Sequence, residues 1–243
     1  MKRSLTTVAL GIAFCVSFAA VAHAQVQWTD KGFFNVNLGG QAPSQTLSAE
    51  TTPDIYGEPA SIRSSQDVGG GAFFELAGGY KVWRNLAVGI GYTRVGSSGD
   101  LNVDANIPDP LVFDNPRHVT AVVPDAKHTQ SAIHLTGTWM MPFTDKVDFG
   151  FQFGPTIFMV SQDLPAAFNI QEPTPTITST SLEKVDKTTV GIHFGVDMTY
   201  LITPRYGVGV LARYAWGSAD IGGAAESVTV GGLQIGGGLR IRF

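Results

Sequence analysis

A set of charged side chains poses the first chemical question. Glu75, Lys81, Asp148, Asp197, Arg213, Arg240 and Arg242 all stand in stretches where apolar residues alternate with small or polar ones, and all take the small-or-polar phase. Acids and bases that share an enclosed face of a sheet must pair, because an isolated charge out of water is costly. Such a cluster could be an internal ion-pair plug that fixes strand register, or a selectivity site if the face lines a bore. Lys81 and Arg242, close to short connections, are expected to reach water. His134 and His193 take the same phase, but no third ligand shares a clear spacing with them, so no metal site is expected. A nucleophilic centre would be sought in "KHTQS" and "IHLTG", which hold His128, Ser131 and His134. They form no His-x-Ser arrangement, so neither a catalytic residue nor a cofactor is expected.

Eight segments carry the alternation, near 31–41, 71–83, 86–95, 130–142, 147–160, 188–202, 206–217 and 231–243. In the third, Leu86, Val88, Ile90 and Tyr92 interleave with Ala87, Gly89, Gly91 and Thr93. In the fifth, Phe149, Phe151, Phe153 and Ile157 interleave with Gly150, Gln152, Gly154 and Thr156. Helical spacing fits none of the eight. Their connections alternate as well. "WRN", "FTDK" and "TPR" are short, whereas the intervening ones are long and rich in Pro, Ser, Thr and Asp, as in 162–187. Connections of that length are uncommon inside compact soluble domains.

The chain opens "MKRSLTTVALGIAFCVSFAAVAHAQ", a basic head, a short apolar run and a small-x-small site, the parts of a secretory signal peptide cut after Ala24. The expected mature domain is 25–243. Cys15, the sole cysteine, leaves with the signal, so disulfides and cysteine metal sites are excluded. Without Lys2 and Arg3 the 16 basic residues become 14 against 20 acidic, a net charge of −6 that argues against nucleic acid. Charged residues are 15% of the chain, below the roughly 25% of soluble domains, so a water-facing surface would be hard to build.

That shortage decides which way the phases face. In a soluble barrel the small phase would meet water and should be dense in Lys and Glu. Ala87-Gly89-Gly91-Thr93 is not. With the apolar phase against hydrocarbon instead, the small phase encloses a narrow lumen, about wide enough in an eight-stranded barrel to be filled by side chains. The expected fold is all-β, an eight-stranded antiparallel transmembrane barrel with short periplasmic turns and long extracellular loops. Tyr80, Trp83, Trp139, Phe143, Tyr200, Tyr206 and Phe243 would form one aromatic girdle, and Tyr92, Tyr214 and Trp216 the other.

With its signal segment, its eight alternating strands and the ending "GGGLRIRF", the chain resembles the small outer-membrane β-barrel family of Gram-negative bacteria, the OmpA, OmpX and opacity-protein type. The resemblance implies residence in the outer membrane, among its lipid and lipopolysaccharide, as a monomeric barrel without catalysis. It also implies that the last strand, with Leu239, Ile241 and Phe243, is the recognition signal for the barrel-assembly machinery. An envelope-structural or surface-interaction role with at most a narrow pore follows. The alternative is a small-solute channel of the OmpW type, and a lipid A deacylase type would need the His-x-Ser pair that is missing. The segments 49–67, 96–126, 161–187 and 218–226 hold 15 of the 20 acidic residues and four basic ones. They read as a hydrated acidic crown, able to attract cations and, through divalent ions, to contact lipopolysaccharide phosphates.

Overall fold

The structure, a computed structural model, describes residues 27–42, 45–68, 70–172, 176–219 and 228–243. The expected signal segment 1–24 and the acidic Asp220 and Glu226 lie outside the described residues. Twelve strands are present among them: β1 Gly32–Gln41, β2 Gln45–Thr51, β3 Asp54–Ile55, β4 Glu58–Pro59, β5 Ser61–Val68 and β6 Gly71–Trp83, then β7 Leu86–Ile107, β8 Arg117–Pro142, β9 Val147–Gln171, β10 Thr176–Leu201, β11 Tyr206–Ala219 and β12 Val228–Arg242. Eight of these close into a ring, β1-β6-β7-β8-β9-β10-β11-β12, with every pairing antiparallel. The last strand meets the first from Phe33↔Arg242 to Gln41↔Gln234, so no edge is left in the membrane-spanning wall.

Two of the three short turns use one device. Thr144 Oγ accepts the Val147 amide at 3.0 Å and Thr203 Oγ accepts the Tyr206 amide at 3.0 Å. The third turn, between β6 and β7, is made possible by Arg84 in the left-handed region at φ 41°.

Side-chain exposure is inverted relative to a soluble protein. Val88, Ile90, Phe153, Ile192, Phe194, Val210 and Ile235 are exposed, while Glu75, Asp197, Arg213, Arg240 and Arg242 are buried. Water would penalise such a surface and hydrocarbon would not. From Tyr206 to Trp216, β11 climbs about 33 Å at about 3.3 Å per residue. A tilt of about 40° reduces that to about 25 Å, the height of the apolar band on such barrels.

The expected long loops are largely strand. β7 and β8 stay paired past the apolar band to Ile107↔Arg117, and β9 and β10 to Gln171↔Thr176. There the polarity reverses. Leu101, Val103, Ala105 and Ile107 turn inward and are buried, while Asp100, Asn102, Asp104 and Asn106 face out. Ile62, Val119 and Ala126 complete this second core, with Ile170 and Ile177 packed against it. β5 pairs with β7 above the start of β6 and β2 pairs with β5, so residues 45–68 form part of the same head. A strand whose outward face changes from apolar to polar has passed from lipid into water.

Candidate functional site

The predicted charge cluster divides into two ionic layers across the bore. In the upper layer, Arg213 on β11 reaches across to Glu75 on β6 through Nη1–Oε1 at 3.2 Å and Nη2–Oε2 at 2.7 Å. Its Nε and Nη2 also donate to Gln234 Oε1 at 2.9 and 2.6 Å, and Nη2 donates to Thr93 Oγ at 2.9 Å. Gln234 passes the network to Gln41, whose amide ends on the Gly231 carbonyl at 2.7 Å. Glu75 and Arg213 side chains are each 2% exposed. In the lower layer, Arg240 on β12 forms a two-pronged pair with Asp197 on β10, and its Nη1 donates to Asn37 Oδ1 at 2.7 Å. Pairs of this kind match a planar guanidinium to a carboxylate and fix orientation as well as charge.

Asp148 and Arg242 meet more loosely, at 4.0 Å, and Arg242 Nη2 donates to Thr199 Oγ at 3.0 Å. Arg242 does not reach water as expected; it is buried, with its guanidinium 5.5 Å from the centre of the Phe33 ring. Lys81 joins neither layer. Its Nζ donates to the carbonyls of Trp28 at 2.8 Å and Thr29 at 3.2 Å and lies 5.5 Å from the centre of the Trp28 ring. The reason is the segment before β1, which turns under the barrel and inserts Trp28 against Phe33, Ala87 and Met140. Asn85 Oδ1 accepts the Trp28 amide at 3.2 Å and fixes this closure of the turn-side mouth. Sequence reasoning missed Trp28, although an aromatic just ahead of the first strand on the turn side was visible.

The histidines sit in the upper polar layer. His134 Nε2 pairs with Thr93 Oγ at 3.1 Å, and its Nδ1 pairs with Thr156 Oγ at 2.9 Å. The same Thr156 hydroxyl meets His193 Nδ1 at 2.8 Å, and His193 Nε2 meets Thr136 Oγ at 3.2 Å. All four ring nitrogens are thereby engaged by hydroxyls. Among the described residues no group of three or more His, Cys, Asp or Glu side chains converges as metal ligands would. Ser131 is set apart from both neighbouring histidines. Its Oγ meets the exposed Tyr92 hydroxyl at 3.2 Å, whereas His128 and His134 point inward from the opposite face of β8.

Above the ionic layers Phe158, Ala132, Val160, Ala215 and Val230 fill the bore with apolar side chains. Higher still, His128 Nδ1 pairs with Gln162 Oε1 at 2.6 Å, and Gln162 Nε2 donates to Gln66 Oε1 at 2.7 Å. His128 therefore lies in the head, where burial holds its imidazole below the ordinary value. Beside Thr136, Thr138 and Gln152 an interior void of about 10 Å³ remains, room for about one water.

The head ends in a braced tip. Arg117 pairs with Glu172 at 2.8 and 2.7 Å and holds the Pro108 carbonyl at 3.1 Å. Hydrogen bonding to Arg117 keeps the Glu172 carboxyl below its usual range. Asp109 Oδ1 accepts the Leu111 amide at 2.8 Å, and Glu58 accepts the Asp114 amide at 3.0 Å. Between these braces Leu111, Val112 and Phe113 project into solvent, Leu111 at 91% and Phe113 at 80% exposure.

No family model matches the chain, and no curated protein matches it. The solved structures do contain its fold. Outer membrane protein OprG from Pseudomonas aeruginosa superposes with a TM-score of 0.50 at 11% identity, covering 90% of this chain and 98% of that one. Neisserial surface protein A gives 0.43 at 14% identity over 87% and 97%, and the outer membrane protease OmpT from Escherichia coli 0.44 at 11% over 91% and 99%. With the inverted surface and the closed ring, the fold defines the class: the chain is an outer-membrane β-barrel protein.

Proposed function

We propose that this protein is a non-catalytic anchor that displays a structured acidic head at the cell surface, serving envelope integrity or surface interaction. Residues 1–24 export it, and residues 25–243 form the single barrel domain. The observation that carries this reading is the packing of the bore. Trp28, the two ionic layers and the Phe158 layer succeed one another from the turn side to the head. The exposed Leu111–Phe113 tip, braced by Asp109 and Arg117, supports interaction over conduction. The separation of Ser131 from His128 and His134 supports the absence of a hydrolytic centre.

Several expectations join this proposal. The ion pairs Glu75–Arg213 and Asp197–Arg240, with Asp148 and Lys81 at their margins, act as register-fixing plugs and not as a filter. Leu239, Ile241 and Phe243 serve as the signal to the barrel-assembly machinery; Phe243 is exposed, and its backbone is stitched to Lys31 and Gly32. The barrel works as a monomer, and its acidic head meets lipopolysaccharide through divalent cations. Planar-bilayer recording of purified protein tests the central reading. The wild type and Trp28→Ala should both show no stable unitary openings, because the layers above Trp28 remain. Openings abolished by neutralising Arg213 or Arg240 would establish the small-solute channel instead.

A further inference from the structure

The lipid-facing wall is dented on β6. Along β6 the outward residues are Phe74, Leu76, Gly78, Tyr80 and Val82, and Gly78 alone among them lacks a side chain. Its cross-strand partners are Phe34 on β1 and Ile90 on β7, both large and both outward. The result is a groove of about 640 Å³, floored by Gly78 and bounded by Leu76, Tyr80, Ile90, Tyr92, Ile133 and Phe243. Nothing in the barrel requires glycine here. A Cβ on Gly78 would meet the Phe33 carbonyl oxygen at 3.4 Å and Phe34 Cδ2 at 3.5 Å, which is ordinary contact, and no left-handed backbone angle is involved. Gly238 contrasts with it, since a Cβ there would overlap the Val36 carbonyl oxygen.

We infer that this groove binds the acyl chain of a membrane lipid as a resident ligand, held apart from the exchanging lipid around it. The groove is continuous above and below with the apolar band, so its occupant comes from hydrocarbon. Its ends are Tyr80 and Phe243 near the turns and Tyr92 toward the head, so a chain lies along the strands between two aromatic bounds. A second copy of the barrel fits worse. Two-fold pairing through this face would set concavity against concavity and leave the void unfilled. A flexible chain fills it by dispersion contact with the ring of large side chains. Substituting the missing side chain would remove the site without touching the bore.

Native mass spectrometry of the full mature barrel, extracted from vesicles of phosphatidylethanolamine and phosphatidylglycerol, reads the occupant directly. The wild type should carry one tightly held phospholipid. Gly78→Leu should lower that occupancy by about tenfold, the change that about 1.4 kcal/mol makes, and Gly78→Ala by less. Gly40→Leu, facing outward with nothing within 4 Å, should retain it. Heat-modifiable gel mobility establishes that each variant is folded. Equal lipid retention in folded Gly78→Leu overturns the inference. So does a wild-type dimer that Gly78→Leu converts to monomer, because the groove would then belong to a second copy.

Discussion

Truncating Glu75 in the upper ionic layer isolates the energetic logic of the bore. Glu75→Ala deletes the two bonds at 3.2 and 2.7 Å and leaves the Arg213 guanidinium buried, with only Thr93 and Gln234 as partners. Breaking a buried pair by removing one member costs about 3–5 kcal/mol, because the surviving charge has lost its counter-ion. Asp148→Ala should cost much less, about 1 kcal/mol, since Asp148 and Arg242 are 4.0 Å apart, beyond hydrogen-bond distance. Removing both members of the upper pair, as Glu75→Leu with Arg213→Met, should cost less than Glu75→Ala alone, for no orphan charge remains. The assay is urea unfolding of the barrel in phospholipid vesicles, followed by tryptophan fluorescence and gel mobility, arranged as a double-mutant cycle. Equal costs for Glu75→Ala and Asp148→Ala would refute the reasoning. Additivity of the Glu75 and Arg213 substitutions to within about 0.5 kcal/mol would do the same.

Closure of the ring should depend on Gly238. Gly238→Ala drives a Cβ into the Val36 carbonyl across the β1–β12 seam, so the variant should fail to yield the heat-modifiable form, whereas Gly78→Ala should yield it normally. The head should loosen in acid through His128. Burial places its folded pKa below the unfolded value of 6.5, so its contribution to stability is complete above 6.5 and is lost as pH falls from there toward the folded pKa. Amide protection factors, corrected for the intrinsic slowing of exchange in acid, should fall in 97–107 and 118–128 over that range, and His128→Gln should flatten the response; an unchanged pH profile in the variant would exclude His128 as the cause.

The membrane-spanning part was legible because period-two alternation is a local property. Val88, Ile90 and Tyr92 already state which face of β7 meets lipid, and the charged residues of the other phase had nowhere to go but inward. Which acid meets which base was not legible. Glu75 and Arg213 are separated by 138 residues, and their meeting depends on the tilt and stagger of the closed ring. The head was readable in part. Leu101, Val103, Ala105 and Ile107 alternate with Asp100, Asn102, Asp104 and Asn106 as clearly as any membrane strand, but the phase is reversed and the acidic composition suggested long hydrated loops. Trp28 was hidden for another reason: a single aromatic ahead of a strand carries no period, and only the closed bore gives it a place to insert.

Nitroxide scanning along β7 tests the central claim most directly, because one strand crosses both solvents. Single cysteines would carry the label at Val88, Ile90 and Tyr92, at Asn102 and Asp104, and at Val103. The account predicts high oxygen accessibility for the first three, high accessibility to a water-soluble nickel chelate for the next two, and low accessibility to both reagents at Val103. Chelate accessibility at Val88 and Ile90 matching that at Asn102 would contradict it.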